Sequence, residues 1–155
     1  MRTLGILGAA ALAAFILFAP KKNSTKAAHA RIQREFKGTT VTNVLVTGYC
    51  NCGKCCSWRR TWFGFGSPVH TAGALKGKPK KVGMTARGTK ARHGTIAADP
   101  AVFPFGTRIK VPGYGVGVVE DVGGAIKGRH IDVWFPSHKR ALEWGRKNLD
   151  VVVGR

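Results

Sequence analysis

From residue 38 onward the apolar positions come in short bursts, without the long stripes of an amphipathic helix. The runs VTNVLVTG (41–48), TRIKV (107–111), GVGVVED (115–121), HIDVWF (130–135) and DVVVG (150–154) have strand length, with Gly and Pro between them. SHKRALEWG (137–145) alone reads as helical: Ser137 is an N-cap candidate, Gly145 a C-cap candidate, and Ala141, Leu142 and Trp144 are expected to face inward. Many short strands and one helix within about 118 residues predict a small all-β barrel.

Residues 57–94 break this rhythm with a stretch rich in Trp, Arg, Lys and Gly. It is too long for a plain connection and reads as a functional loop or a disordered one. Trp58, Trp62, Phe63 and Phe65 leave two readings open: stacking on sugar rings or bases, or folding back to cap the end of the barrel.

The chain opens with an uncharged apolar run, residues 4–19, followed by Pro20, Lys21 and Lys22. The run is shorter than the roughly 20 residues that span a bilayer comfortably. Residues 1–20 are therefore read as a signal peptide, with Ala28-His29-Ala30 as a small-x-small cleavage site, or as an N-terminal membrane anchor. Export is the favoured reading, to the periplasm, cell envelope or outer membrane of a bacterium. Residues 21–37 read as a basic linker, and the folded domain as 38–155.

The net charge of +19 adds a strong positive field without naming a partner. Nucleic acid, anionic lipid and an acidic wall polymer would all respond to it. No specific nucleic-acid partner is expected, since charge is that reading's main support. A hydrophobic content of 44% with 21 Gly and 7 Pro argues against disorder and against a coiled coil.

In so basic a chain the seven acids stand out. Asp121 ends one predicted strand and Asp132 lies near the start of the next, with GGAIKG between them as a tight return that brings both to one face. Asp99 closes TIAADP, another short apolar stretch. Carboxylates sharing a cleft can differ in protonation and so cleave a glycosidic bond. The alternative is that all three are turn residues bonding their own backbone amides. Lys127, in the Gly-rich loop, is placed to hold an acid ionised or to bind substrate. His130 alternates with Asp132 and shares its face, while His70, His93 and His138 show no metal-ligand spacing. Cys50, Cys52, Cys55 and Cys56 fall within seven residues. Zinc would suit them in the cytosol, and one or two local disulfides suit an exported chain, the reading favoured here.

Together TGYCNCGKC, GTIAADPAVFPFGTRIKV, GYGVGVVEDVGGAIKGRHIDVWFPSH and ALEWGRKNLDVVV resemble the three-aspartate ("3D") domain over about residues 42–153. That family is similar to the catalytic barrel of the membrane-bound lytic transglycosylase A type and to stationary-phase muralytic proteins. The resemblance implies a six-stranded double-psi β-barrel that cuts peptidoglycan between N-acetylmuramic acid and N-acetylglucosamine, leaving a 1,6-anhydro end. It implies Asp132 as the acid/base and Asp121 and Asp99 as the other name-giving aspartates. Thr47 matches the threonine of the family's TAY, with Gly48 in place of its alanine. Thr47, Lys127, Gly124 and His130 are thus the candidates for substrate contact. Residues 57–82 form an insert longer and more aromatic than the family's link at this point. The expectation is a monomer acting on glycan strands without a cofactor, with a non-catalytic glycan-binding barrel as the alternative.

Overall fold

A computed structural model describes residues 36–154. The predicted signal or anchor segment and residues 21–35 of the predicted linker lie outside the described residues. In chain order the elements are β1 (Thr39–Tyr49), α1 (Gly53–Cys56), β2 (Trp58–Arg60), β3 (Pro68–His70), β4 (Thr95–Ala98), β5 (Arg108–Val111), β6 (Gly115–Asp121), β7 (His130–Trp134), α2 (His138–Trp144) and β8 (Lys147–Gly154). Six of the strands close into a barrel in the order β1-β7-β4-β6-β5-β8. The pairs β1/β7 and β4/β6 are parallel; the remaining four are antiparallel. The expected six-stranded barrel with one helix near its C-terminus is thus observed.

The interior is built by alternation. Val44 and Val46 of β1, Ile96 of β4, Ile109 of β5, Val119 of β6, Ile131 and Val133 of β7 and Val151 of β8 are fully buried. Between Ile131 and Val133 stands Asp132, which the same two-residue period turns to the other face. One strand of the barrel has no counterpart among the five apolar runs. β4 is only TIAA, buried at all four positions, and a strand covered on both faces shows no alternation to read.

The helix is capped as expected: Ser137 Oγ accepts from the Arg140 amide at 3.3 Å. Ala141 is buried, and Trp144 packs on Tyr114 and Phe135. Leu142, expected to face inward, is 67% exposed, because one short helix on a barrel covers only a narrow stripe. Here β1 passes beneath α2. A Cβ on Gly48 would lie 3.0 Å from both the Ala141 carbonyl oxygen and the Phe135 ring, which accounts for glycine at this position.

The 57–94 stretch is ordered. β2 and β3 form a separate two-stranded hairpin with a 3-10 turn at Trp62–Gly64. Among the described residues no helix is long and apolar enough to cross a membrane.

Inside the barrel wall, Gly117 lets β6 pass close to the chain before β4. A Cβ there would stand 2.7 Å from the Gly94 carbonyl oxygen and from Ile96 Cδ1. Gly117→Ala is expected to cost about 2 kcal/mol by overpacking, read as a lower midpoint in urea at an unchanged slope.

Candidate active site

Four residues on four strands stand side by side on the barrel's outer face. Thr47 of β1 pairs with Asp132 of β7, Asp132 with Ala97 of β4, and Ala97 with Asp121 of β6. The row therefore reads Thr47, Asp132, Ala97, Asp121. At about 4.8 Å per strand step the two acidic residues have backbones roughly 10 Å apart, with only a methyl group between them.

Asp121 reaches this row because β6 is bulged. Ile96 pairs with Val119, but the next residue, Ala97, pairs with Asp121, so Glu120 is the extra residue. In an unbroken register Glu120 would stand opposite Ala97 and Asp121 would turn inward with Val119. Instead, Glu120 Oε2 accepts from Thr95 Oγ1 at 3.2 Å, and Asp121 faces the cavity.

The two carboxyl groups have different surroundings. Asp121 accepts from Tyr49 Oη (3.1 Å) and from the backbone amides of Ala86 (3.0 Å) and Val122 (2.9 Å). Tyr49 is a lasting donor, because burial and then the Asp121 charge push its phenol far above the ordinary value of 10.0. Among the described residues, the Asp132 carboxyl accepts from Thr47 Oγ1 at 2.9 Å. His130 Nε2 lies 2.9 Å from the same Thr47 oxygen, so that the hydroxyl links the imidazole to the carboxyl. Burial raises the Asp132 carboxyl from 3.8 to about 6; the Thr47 bond opposes this and the Asp121 charge adds to it. Burial also holds His130 below its ordinary value.

Both acids open into a cavity of about 470 Å³, within the roughly 300–1,000 Å³ usual for ligand sites. One wall is the loop from Val122 to Arg129. It does not make the hairpin return expected from GGAIKG, since β6 and β7 are not neighbours: they flank β4, and the loop arches over its end. Gly124 lines the cavity, with open space where a Cβ would point. Asp99, expected among the site acids, lies outside the cavity lining and pins the arch. Its Oδ2 accepts from the Gly128 amide at 2.9 Å and its Oδ1 from the Ala101 amide at 3.1 Å, bonds that lower its pKa. The turn-residue reading thus describes Asp99. Lys127 is exposed and acts electrostatically on Asp99, away from the cavity lining.

The opposite wall comes from the insert and the segment after it: Ser57, Ala72, Gly73, Lys80, Gly83 and Met84. Lys80, the cation of this wall, had no signal in the sequence, being one lysine among many. Trp58 folds back, its Nε1 donating to the Asn51 carbonyl at 2.9 Å. Trp62, Phe63 and Phe65 project outward, 85%, 104% and 92% exposed. Trp58 is thus held against the protein, while the other three rings are open to solvent.

The four cysteines are free thiols, and disulfide geometry is absent from this cluster. Cys50 Sγ and Cys55 Sγ are 3.8 Å apart, against about 2.05 Å for a bonded pair. His138, which showed no ligand spacing, comes to this cluster through the fold: its Nδ1 is 3.6 Å from Cys52 Sγ and 3.3 Å from Cys55 Sγ. More than 80 residues separate it from them, beyond any local motif.

Residues 94–154 match the family model of the 3D domain. This part of the chain is similar to the 3D domain. It takes in β4 to β8 and so both cavity acids, while β1 and the insert precede the matched span. Two Bacillus subtilis proteins are similar in sequence: "Putative cell wall shaping protein YabE", 40% identical over 75 residues, and "Cell wall-binding protein YocH", 50% identical over 58. The matches take in 46% and 37% of this chain, but only 18% and 20% of those proteins. The chain thus spans about a fifth of their length. Among solved structures, the lytic transglycosylase MltA from Escherichia coli aligns over 50% of this chain and 29% of its own, at 24% identity and a TM-score of 0.40.

Proposed function

We propose that this protein is a lytic transglycosylase of the bacterial cell envelope, cleaving the bond between N-acetylmuramic acid and N-acetylglucosamine in peptidoglycan. The observation that carries this reading is Asp132, a cavity-lining carboxyl raised to about 6, set one strand beyond Ala97 from a second, multiply hydrogen-bonded acid. The cell wall names of YabE and YocH support the substrate class.

Ordinary glycosidases need two carboxyl groups, one of them to deploy water or act as nucleophile. Here one acid suffices. Protonated Asp132 donates its proton to the glycosidic oxygen as the bond from C1 to that oxygen breaks. Asp121 faces the positive charge that develops at C1. The ionised Asp132 then takes the proton of the muramyl C6 hydroxyl, whose oxygen bonds to C1 and closes the 1,6-anhydro ring. An attacking group within the same sugar has a large effective concentration. Thr47 and His130 hold Asp132 in place, Gly124 leaves room for the sugar, and Lys80 meets the carboxylates of the peptide stem.

The test is digestion of purified sacculi, with anhydromuropeptides sought by mass spectrometry and Asp132→Asn as control. Products with reducing ends, or an active Asp132→Asn variant, would overturn the assignment. A second reading, glycan binding without cleavage, is favoured by the exposed aromatics of the hairpin; it predicts co-sedimentation with sacculi and no released product. Under either reading the Trp62→Ala, Phe63→Ala, Phe65→Ala triple variant is expected to bind sacculi roughly tenfold more weakly or worse, at about 0.5–1.5 kcal/mol per aromatic contact. Its melting temperature should not move, because these side chains touch little of the protein.

A further inference from the structure

The geometry points to a structural zinc site formed by Cys50, Cys52, Cys55 and His138, which we propose ties the end of β1 and α1 to the start of α2. The four ligand atoms lie within 4.8 Å of one another. A tetrahedral ion with bonds of about 2.3 Å to sulfur and 2.05 Å to nitrogen requires ligand separations of roughly 3.8 Å between sulfurs and 3.6 Å from sulfur to nitrogen. The structure has 3.8 Å from Cys50 to Cys55, 3.6 Å from Cys52 to His138 and 3.3 Å from Cys55 to His138.

The surroundings fit a metal better than a disulfide. Cys52 is the N-cap of α1, and its sulfur accepts from the Cys55 amide at 3.5 Å, a bond that suits a thiolate. His138 opens α2, whose first turn Ser137 caps, so its ring is held by a helix and not by a loose loop. Cys56 is turned away and donates to the Cys50 carbonyl at 3.1 Å, which leaves three thiols and one imidazole. Four protein ligands leave no open position, the pattern of a structural ion, and a mixed sulfur and nitrogen set suits zinc among the common divalent metals.

The site borders the cavity. Tyr49, which holds Asp121, immediately precedes Cys50; Asn51, between two ligands, accepts from Trp134 Nε1 at 2.8 Å and carries the carbonyl that holds Trp58. The ion would fix the knuckle from which these three contacts are made.

The test measures zinc in the full-length chain purified under reducing conditions, by elemental mass spectrometry and by competition with a chelating dye. One equivalent is expected. Because losing an outer-shell partner costs 10- to 100-fold in affinity, losing a ligand through Cys52→Ser or His138→Ala should cost at least about 100-fold. Cys56→Ser should keep the full equivalent, and His138→Cys should restore tight binding lost in His138→Ala. Cobalt substituted into the unaltered chain reads the ligand set without any variant, through thiolate charge-transfer bands and tetrahedral d–d bands. The proposal is overturned if the unaltered chain binds no zinc and its thiols are found as disulfides, if Cys56→Ser loses zinc as Cys52→Ser does, or if His138→Ala binds as tightly as the parent.

Discussion

Asp132→Asn is expected to lose about 10³-fold in the rate of anhydromuropeptide release and, above neutral pH, to be more stable than the parent. The loss follows from general acid–base catalysis, which contributes typically 10²- to 10⁴-fold, and which an amide cannot supply. The gain follows from the raised carboxyl. Unfolded, this acid titrates near 3.8; folded, it titrates at about 6, so the folded chain holds the proton more tightly. Below about pH 4 both states are protonated and the group contributes nothing. Between about pH 4 and pH 6 the unfolded chain ionises first and stability falls; above that the full cost applies, up to about 3 kcal/mol at 1.36 kcal/mol per unit. Asparagine accepts the same bond from Thr47 and carries no such cost. Urea melts of both proteins at acidic and alkaline pH measure the difference, which should vanish at the acidic end. The same titration sets the activity profile: kcat/KM should fall as pH rises through about 6, because the free enzyme must carry the proton it donates. A flat profile across that range would rule out Asp132 as the acid.

Filling the gap between the two acids is the second large effect. In Ala97→Leu the added branch would occupy the space that separates Asp132 from Asp121, where the proposed mechanism puts the sugar ring. Ala97 lines the cavity but is itself buried, so overpacking should cost about 1–3 kcal/mol of stability, while activity in the folded protein falls on the order of 10²-fold, the scale of a misplaced reacting group. Near-parent activity in a folded Ala97→Leu variant would show that the substrate does not pass between the acids. Ala97→Gly serves as the comparison that leaves the gap open.

The aspartates show how far residue type and spacing carry. Around glycine and proline an aspartate is equally at home bonding backbone amides or lining a cavity, and Asp99 and Asp132 exemplify the two placements. Nothing within a few residues of either separates them: the difference is that Asp99 lies one residue beyond β4, under the arch of 122–129, while Asp132 lies within β7 between two buried residues. The GGAIKG loop was legible as flexible but not as an arch, since its neighbours in space depend on β4 passing between β6 and β7.

By itself the sequence determined most of the strands, the capped helix and, through the EDVGGAIKGRHIDVWF motif, the resemblance to the 3D domain. Those features rest on two-residue alternation, on capping residues and on residue order, all local along the chain. Tertiary structure alone decided the rest. It supplied β4, whose complete burial removes any alternation, and the bulge at Glu120, which by one residue turns Asp121 from the interior to the face of Asp132. It also brought Lys80 to the cavity and His138 to the three cysteines, because such partners meet only when a closed barrel places distant segments side by side.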